Sequence, residues 1–192
     1  MPKSGLTARI TSAKSDEWGT PRHLVAALRA EFTLGVDLAA RRDNRVAPAY
    51  LGPDHPEPSL RDALAVDWSR LLRAMGPHVV GFLNPPFSQI DAFLAKCWEE
   101  RQRGAVLVTV LPHKTETVWY HELAVHADEI RQLRRRLVYL VDGQPVDSAL
   151  FASSVVIWNG RAPVFRTGPR VVWWDLGTPR RQRRASGEGQ QA

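Results

Sequence analysis

Residues 79–88 read VVGFLNPPFS: an apolar run that stops at an asparagine, two prolines and a phenylalanine. A strand suits Val79 to Asn84, but Pro85 and Pro86 each lack a backbone N–H and carry a fixed φ, so neither continues a sheet ladder or a helix interior. The chain therefore leaves regular structure stiffly at Asn84, with one amide and one aromatic ring at the exit. The Asn84 side-chain oxygen and the Pro85 carbonyl are both acceptors. Converging on one –NH₂ group, they draw its lone pair toward a tetrahedral, nucleophilic form and stabilise the charge that develops on attack. Phe87 offers a flat face for the ring that carries the amine. The tetrapeptide suits alkylation of a weakly nucleophilic amine on a planar heterocycle. It also suits a tight turn followed by a core phenylalanine.

On the C-terminal side, Ile90, Phe93, Leu94, Cys97 and Trp98 share one face at helical spacing, which predicts a helix over about 89–103 stopped by Gly104. AVLVTVLP (105–112) is a β-branched run of the kind buried on both faces of a parallel sheet. TETVWYHELAVHADEIRQL (115–133) reads as a second helix, with Trp119, Leu123, Ala127 and Ile130 on one side. RLVYLVDG (136–143), SSVVIWNG (153–160), PVF (163–165) and VVWWDL (171–176) read as closing strands, the last joined by turns short enough for antiparallel pairing.

On the N-terminal side, Thr20 and Pro21 introduce a short helix in PRHLVAALRAEF (21–32). FTLGVDLAA (32–40) is a strand ending at Asp37, and 41–60 is mostly loop with a short strand around Ala49-Tyr50. LRDALAVDW (60–68) leads to a further strand end at Asp67. Strand–helix alternation with an antiparallel close predicts an α/β fold, a mostly parallel sheet flanked by helices. Ligands of such sheets bind at the carboxyl ends of strands, where Asp37, Asp67 and Asn84 are expected. Neither GxGxxG nor GxxxxGK[ST] occurs, so an ordinary dinucleotide fingerprint is missing and a P-loop is not indicated.

The chain has 192 residues, enough for one full core. Expected boundaries are a leader at 1–15, one domain at 16–178 and a basic tail at 179–192. No run approaches ~18 apolar residues, and the N-terminus has no apolar signal region, which points to the cytoplasm. Cys97 is the only cysteine, excluding an internal disulfide and a multi-cysteine zinc site. His113, His121 and His126 form no convincing ligand set. The net charge of +6, with arginines clustered at 41–42 and 131–136, suits a polyanion partner as well as a solvated surface.

NPPF has the form [DNS]-P-P-[YFW] of amino-methyltransferases. Over roughly Asp16 to Trp158 the chain resembles the phage-type DNA N-6-adenine methyltransferases. The matching blocks are DEWGTP (16–21), FTLGVDLAARRDN (32–44), DALAVDW (62–68), NPPFS (84–88), VLPHKTETVWYHELAVHADEIRQLRRRLVYL (110–140) and SALFASSVVIW (148–158). The resemblance implies a class I methyltransferase (Rossmann-like) fold, S-adenosylmethionine as cofactor and double-stranded DNA as partner. It further implies a monomer or weak dimer in a bacterial host cytoplasm, of phage or prophage origin, with no metal and no membrane.

The resemblance also places residues. Trp18, Gly19, Thr20 and Pro21 contact the methionine part of the cofactor. Asp37, with Leu38, Ala39 and Ala40, stands at the first-strand motif, where a carboxylate suits the ammonium and sulfonium end. Asp67 is similar to the acid that accepts from the cofactor's adenine amine, with Trp68 flanking that ring. Asn84, Pro85, Pro86 and Phe87 are the catalytic set, gripping a base flipped out of the duplex. Ser88, Lys114, Thr115, Arg134 and Arg136, together with Arg131 and Arg135, are expected phosphate contacts.

Three features depart from the wider pattern. DLAA replaces a glycine-rich first-strand motif. A ribose-binding acid stays open among Asp43, Asp54, Glu57 and Asp62. Arg135-Arg136-Leu137 stands where the family has Gly-Arg-Leu. Two other readings stay open: an amino-methyltransferase acting on cytosine N4, RNA or protein glutamine, and a non-catalytic basic DNA-binding module.

Overall fold

The computed structural model describes residues 18–145, 151–163 and 168–176. The leader expected at 1–15, the tail at 179–192, and Val164 and Phe165 of the expected PVF strand lie outside these residues. Along the chain, α1 (Arg22–Glu31) is followed by β1 (Thr33–Asp37), β2 (Ala49–Tyr50), α2 (Trp68–Met75), β3 (Val79–Leu83) and α3 (Ile90–Gln102). Then come β4 (Val106–Pro112), α4 (Val118–Glu122), β5 (Glu129–Leu133), β6 (Leu140–Val141), β7 (Gln144–Pro145), β8 (Ser153–Asn159) and β9 (Arg170–Trp174).

Seven strands form one sheet in the order β2-β1-β3-β4-β8-β5-β9. β3 is parallel to β1 on one side and to β4 on the other. β8 runs against both of its neighbours, β4 and β5. The antiparallel close expected at the C-terminal end is thus made by β8. β9, expected to pair antiparallel through a short turn, instead runs parallel to β5. The carboxyl ends of β1, β3, β4, β5 and β9 consequently lie along one edge, where α/β sheets bind ligands.

Strand alternation divides the core between the two faces. Val80 and Phe82 of β3 pack with Leu24, Val25 and Leu28 of α1. Leu83 points the other way, into a cluster with Trp68 and Leu72 of α2 and Ile90, Phe93, Leu94 and Cys97 of α3. β4 is buried along its whole length, as its β-branched run requires. Helices thus cover both faces of a mostly parallel sheet, the layering of a class I methyltransferase fold. Truncating one such core ring, Phe82→Ala, costs roughly 3–5 kcal/mol.

Two stretches differ from expectation. No strand ends at Asp67: Ala63–Ala65 is a short 3-10 turn, and Asp67 caps α2, accepting from Arg70 N–H at 2.8 Å. Trp68 and Leu72 then turn the buried face of α2 inward, a helix absent from the sequence reading. The helix expected over 115–133 shrinks to α4 and a 3-10 turn at Ala124–His126, and EIRQL becomes β5. Glu, Arg, Gln and Leu favour helix in isolation, but the sheet context overrides that preference. RLVYLVDG likewise contributes only β6, which forms a hairpin with β7. Its two-residue turn, Asp142 (φ 50°) and Gly143 (φ 72°), has the positive φ pair that such hairpins require.

Two buried charge clusters lock α3 against its surroundings. Arg101 donates to both Asp128 oxygens at 2.7 Å, and Asp128 also accepts from Asn159 N–H at 2.6 Å. Burial pushes the Glu100 carboxyl up, but hydrogen bonds from Ser69 and Lys96 outweigh it and hold it below its ordinary value. The helix that NPPF leads into is therefore held at its far end.

Candidate functional site

Asn84 leaves β3 one residue past Leu83, which pairs with Thr109 of β4. Pro86 is extended (φ −53°, ψ 130°) and feeds the 3-10 turn Phe87–Gln89, which runs into α3. The Asn84 Nδ2 donates to the Trp18 carbonyl at 2.7 Å, which fixes the facing of the amide. Asn84 Oδ1 is buried and has no hydrogen-bond partner. Such an orphan costs on the order of 1–3 kcal/mol, and it is the atom that a ligand N–H would satisfy. Trp18 is itself pinned, because Gly19 and Leu140 exchange backbone hydrogen bonds of 2.7 and 2.9 Å.

Around Phe87 stand three more rings. Trp18 and Phe151 each lie 5.5 Å from it, edge-on, and Tyr139 lies 6.5 Å away at 89°. Trp18 is stacked on Phe151 at 5.7 Å and tilted against Tyr139 at 5.0 Å. Burial pushes the Tyr139 phenol up to about 12 against the opposing effect of its Ser153 hydrogen bond, so the ring stays neutral. The Lys114 ammonium sits 5.7 Å from the Phe151 centroid.

Across the same two segments lies an open cleft of about 1260 Å³. Gly19 and Thr20 line it from the first segment, Pro86 and Gln89 from the second, and Ala39 and Ala40 from the end of β1. Gly52 also lines it, and a Cβ there would come within 1.7 Å of the Ala40 carbonyl oxygen. Its charged wall holds Arg22, Arg29, Arg41, Arg45 and Arg61 against Asp43, Asp62 and Asp142. None of those five arginines joins an ion pair among the described residues.

Asp37 stands behind this wall. Its Oδ2 accepts from Val46 N–H at 2.9 Å and its Oδ1 from Ala39 N–H at 3.4 Å. Arg29 holds the Val46 carbonyl at 2.7 Å, so the loop that carries the arginines is gripped from two sides. Burial raises the Asp37 carboxyl to about 7 despite these hydrogen bonds, which favour the ionised form.

The remaining expected residues are placed as follows. Pro21 is the N-cap of α1. Trp68 is fully buried, its indole N–H donates to the Ala63 carbonyl at 2.7 Å and its ring stacks on Phe93. Asp67 serves the cap of α2 and is not on the cleft, whereas Asp62, five residues earlier, lines it. Ser88, Lys114 and Thr115 are exposed, as are Arg134, Arg135 and Arg136 beyond the carboxyl end of β5. Arg134 pairs with Asp175 at 2.9 Å. Arg131 is no exposed phosphate contact: Glu31 and Glu129 bind it, holding its guanidinium above its ordinary value, and it lies 4.9 Å from the Trp174 ring. Leu140, Tyr139 and Phe151 come to the site with no local sequence signal. Among the described residues no group of three His, Cys, Asp or Glu is arranged to hold a metal, and no helix is long and apolar enough to cross a membrane.

Residues 7–169 match the family model described as DNA N-6-adenine-methyltransferase (Dam). A curated relative, the DNA N-6-adenine-methyltransferase of Escherichia phage T1, is 28% identical over 132 residues, covering 68% of this chain and 50% of that protein. The chain spans about half the length of that relative.

Proposed function

Because the chain belongs to the DNA N-6-adenine-methyltransferase family, we propose that it transfers a methyl group from S-adenosylmethionine to N6 of an adenine turned out of double-stranded DNA. The observation that carries this reading is the buried, partnerless Asn84 Oδ1, three residues before Phe87, with its amide nitrogen tied to Trp18. Asn84 Oδ1 and the Pro85 carbonyl accept the two N6 hydrogens, and Phe87 stacks on the base. Pro85 and Pro86 keep both acceptors aimed while the amine becomes tetrahedral.

The cleft fits the cofactor. Its volume exceeds the roughly 300–1,000 Å³ of ordinary small-molecule sites, and Pro86 and Gln89 on its lining bring it to the NPPF turn. S-adenosylmethionine supplies an electrophilic methyl group. Thr20 and Ala39 hold its methionine end, with Trp18 and Pro21 setting the course of the segment that carries Thr20. Asp37 orders the Ala39–Val46 loop. Asp62, in place of Asp67, takes the adenine amine. Lys114, Thr115, Ser88, Arg134 and Arg136 contact phosphate, which makes DNA binding salt-dependent.

The test is incubation of the full chain with tritiated S-adenosylmethionine and unmethylated duplex DNA. Label recovered as N6-methyladenine is the expected result. Label in cytosine, RNA or protein, or no transfer, overturns it.

A further inference from the structure

We propose that Arg41 and Arg45 form a seat for DNA phosphate on the β1 side of the NPPF turn, across from the contacts expected after β4. The inference rests on the reading that NPPF receives a base from duplex DNA. Charge makes the first argument. Among the described residues, five arginines and three aspartates line the cleft, whereas S-adenosylmethionine carries one carboxylate beside an ammonium and a sulfonium. One guanidinium satisfies that carboxylate, and Arg22, which opens α1 two residues after Thr20, is placed to supply it. Arg29 is engaged on the Val46 carbonyl, and Arg61 on the carbonyls of His55 and Pro56 at 2.8 and 3.4 Å. Arg41 and Arg45 are left, both exposed, and Asp43 between them in sequence forms an ion pair with neither. They suit a second anion.

The loop that carries them is tied down. Arg41 N–H donates to Asn44 Oδ1 at 2.8 Å, and the Arg41 carbonyl accepts from Arg45 N–H at 3.1 Å. Arg42 N–H donates to Asp54 at 3.0 Å, and Val46 N–H to Asp37 at 2.9 Å. The Arg45 guanidinium lies 5.4 Å from the centroid of the Tyr50 ring, which His55 approaches at 4.9 Å. With the backbone held at these points, only the two side chains remain to be ordered on binding. Topology sets their place. β3 lies between β1 and β4, so NPPF is flanked by the 41–45 loop on one side and by Lys114 and Thr115 on the other. Arg41 and Arg45 line the same cleft as Pro86 and Gln89. Duplex DNA carries a phosphate about every 3.4 Å of axis on each strand, so a duplex opened over NPPF presents phosphates to both flanks.

The experiment measures binding of the full chain to a short fluorescein-labelled duplex by anisotropy, between about 50 and 200 mM salt. Arg41→Gln and Arg45→Gln should each lower the slope of log affinity against log salt by about 0.9, and the double variant by about 1.8, whatever the DNA sequence. Arg41→Lys with Arg45→Lys keeps the charge and should keep the slope. Arg161→Gln removes the same charge in the turn after β8, at the opposite edge of the sheet, and should leave the slope unchanged. Calorimetric affinity of the glutamine double variant for S-adenosylmethionine alone should equal that of wild type. A slope unchanged in the glutamine variants, or lowered equally by the lysine variant or by Arg161→Gln, overturns the seat. Weakened cofactor binding without DNA also overturns it, by assigning the arginines to the cofactor. A wild type with the full slope that methylates no adenine overturns the proposed reaction and leaves the seat. A wild type that binds no duplex overturns both.

Discussion

Residues 18–20 and 84–89 contribute to two unlike places. On one side is an open cleft of about 1260 Å³, ringed by arginines and aspartates. On the other, Trp18, Tyr139 and Phe151 stand edge-on to Phe87, three residues from an asparagine whose oxygen has no partner. The cleft is open, and Asp37 behind it holds the loop that lines it through the bond from Val46. The aromatic side carries a buried acceptor with no partner among the described residues. On the function proposed above, a small cofactor takes the cleft and a base meets Asn84 and Phe87.

Substitutions that act on one side alone test this division. The largest effect is expected from Asn84→Ala: transfer falls 10²- to 10³-fold, the usual loss for one removed charge-stabilising contact, while calorimetric affinity for S-adenosylmethionine stays unchanged. Parallel loss of both would show that the sides are not separate. Gly52→Ala acts on the cleft, since its Cβ meets the Ala40 carbonyl oxygen at 1.7 Å. It should destabilise by about 1–3 kcal/mol in urea unfolding and weaken cofactor binding. Wild-type stability there would mean that the cleft wall is soft.

Asn84→Asp probes the hinge between the sides. It sets a carboxylate against the Trp18 carbonyl that now accepts a hydrogen bond at 2.7 Å. Transfer should drop about tenfold at neutral pH and recover toward pH 5, as protonation restores a donor. A flat pH profile would remove the Trp18 carbonyl from the mechanism.

Asp37→Asn has a smaller effect, visible in stability against pH. Burial holds the folded carboxyl near 7, above its ordinary 3.8. The folded state therefore binds the proton more tightly, so this contribution is fully present below about 3.8 and is lost as pH rises toward 7. Asparagine keeps the Val46 hydrogen bond and has no proton to lose, so the urea midpoint should become flatter between pH 4 and 7. An unchanged slope would place the dependence elsewhere. Arg134→Gln should change least, under about 0.5 kcal/mol in stability, because its pair with Asp175 is exposed at both ends.

Much of this architecture is legible in the residues. Val79 to Leu83 and Val106 to Pro112 announce themselves by apolar runs, and Ile90 to Gln102 by spacing and a glycine stop. Asn84 could be singled out because prolines leave the backbone few options. EIRQL could not, since its strand form depends on β8 and β9 pairing at either side. Asp62 and Asp67 look alike in the string DALAVDW, and both cap a helical turn, but only the first lines the cleft. Tyr139 and Phe151 carry no mark of their own: they meet Phe87 through the sheet, from 52 and 64 positions away.

The hydrogen bond from Asn84 to Trp18 joins residues 66 positions apart, and Trp18 depends in turn on Leu140 through its neighbour Gly19. During synthesis, NPPF leaves the ribosome long before the segment that aligns it. A chain halted after α3 therefore carries the tetrapeptide and its partner Trp18, but not the Leu140 backbone that pins Gly19 beside it. Activity in a refolding experiment should return with the slow, long-range contacts rather than with the helices.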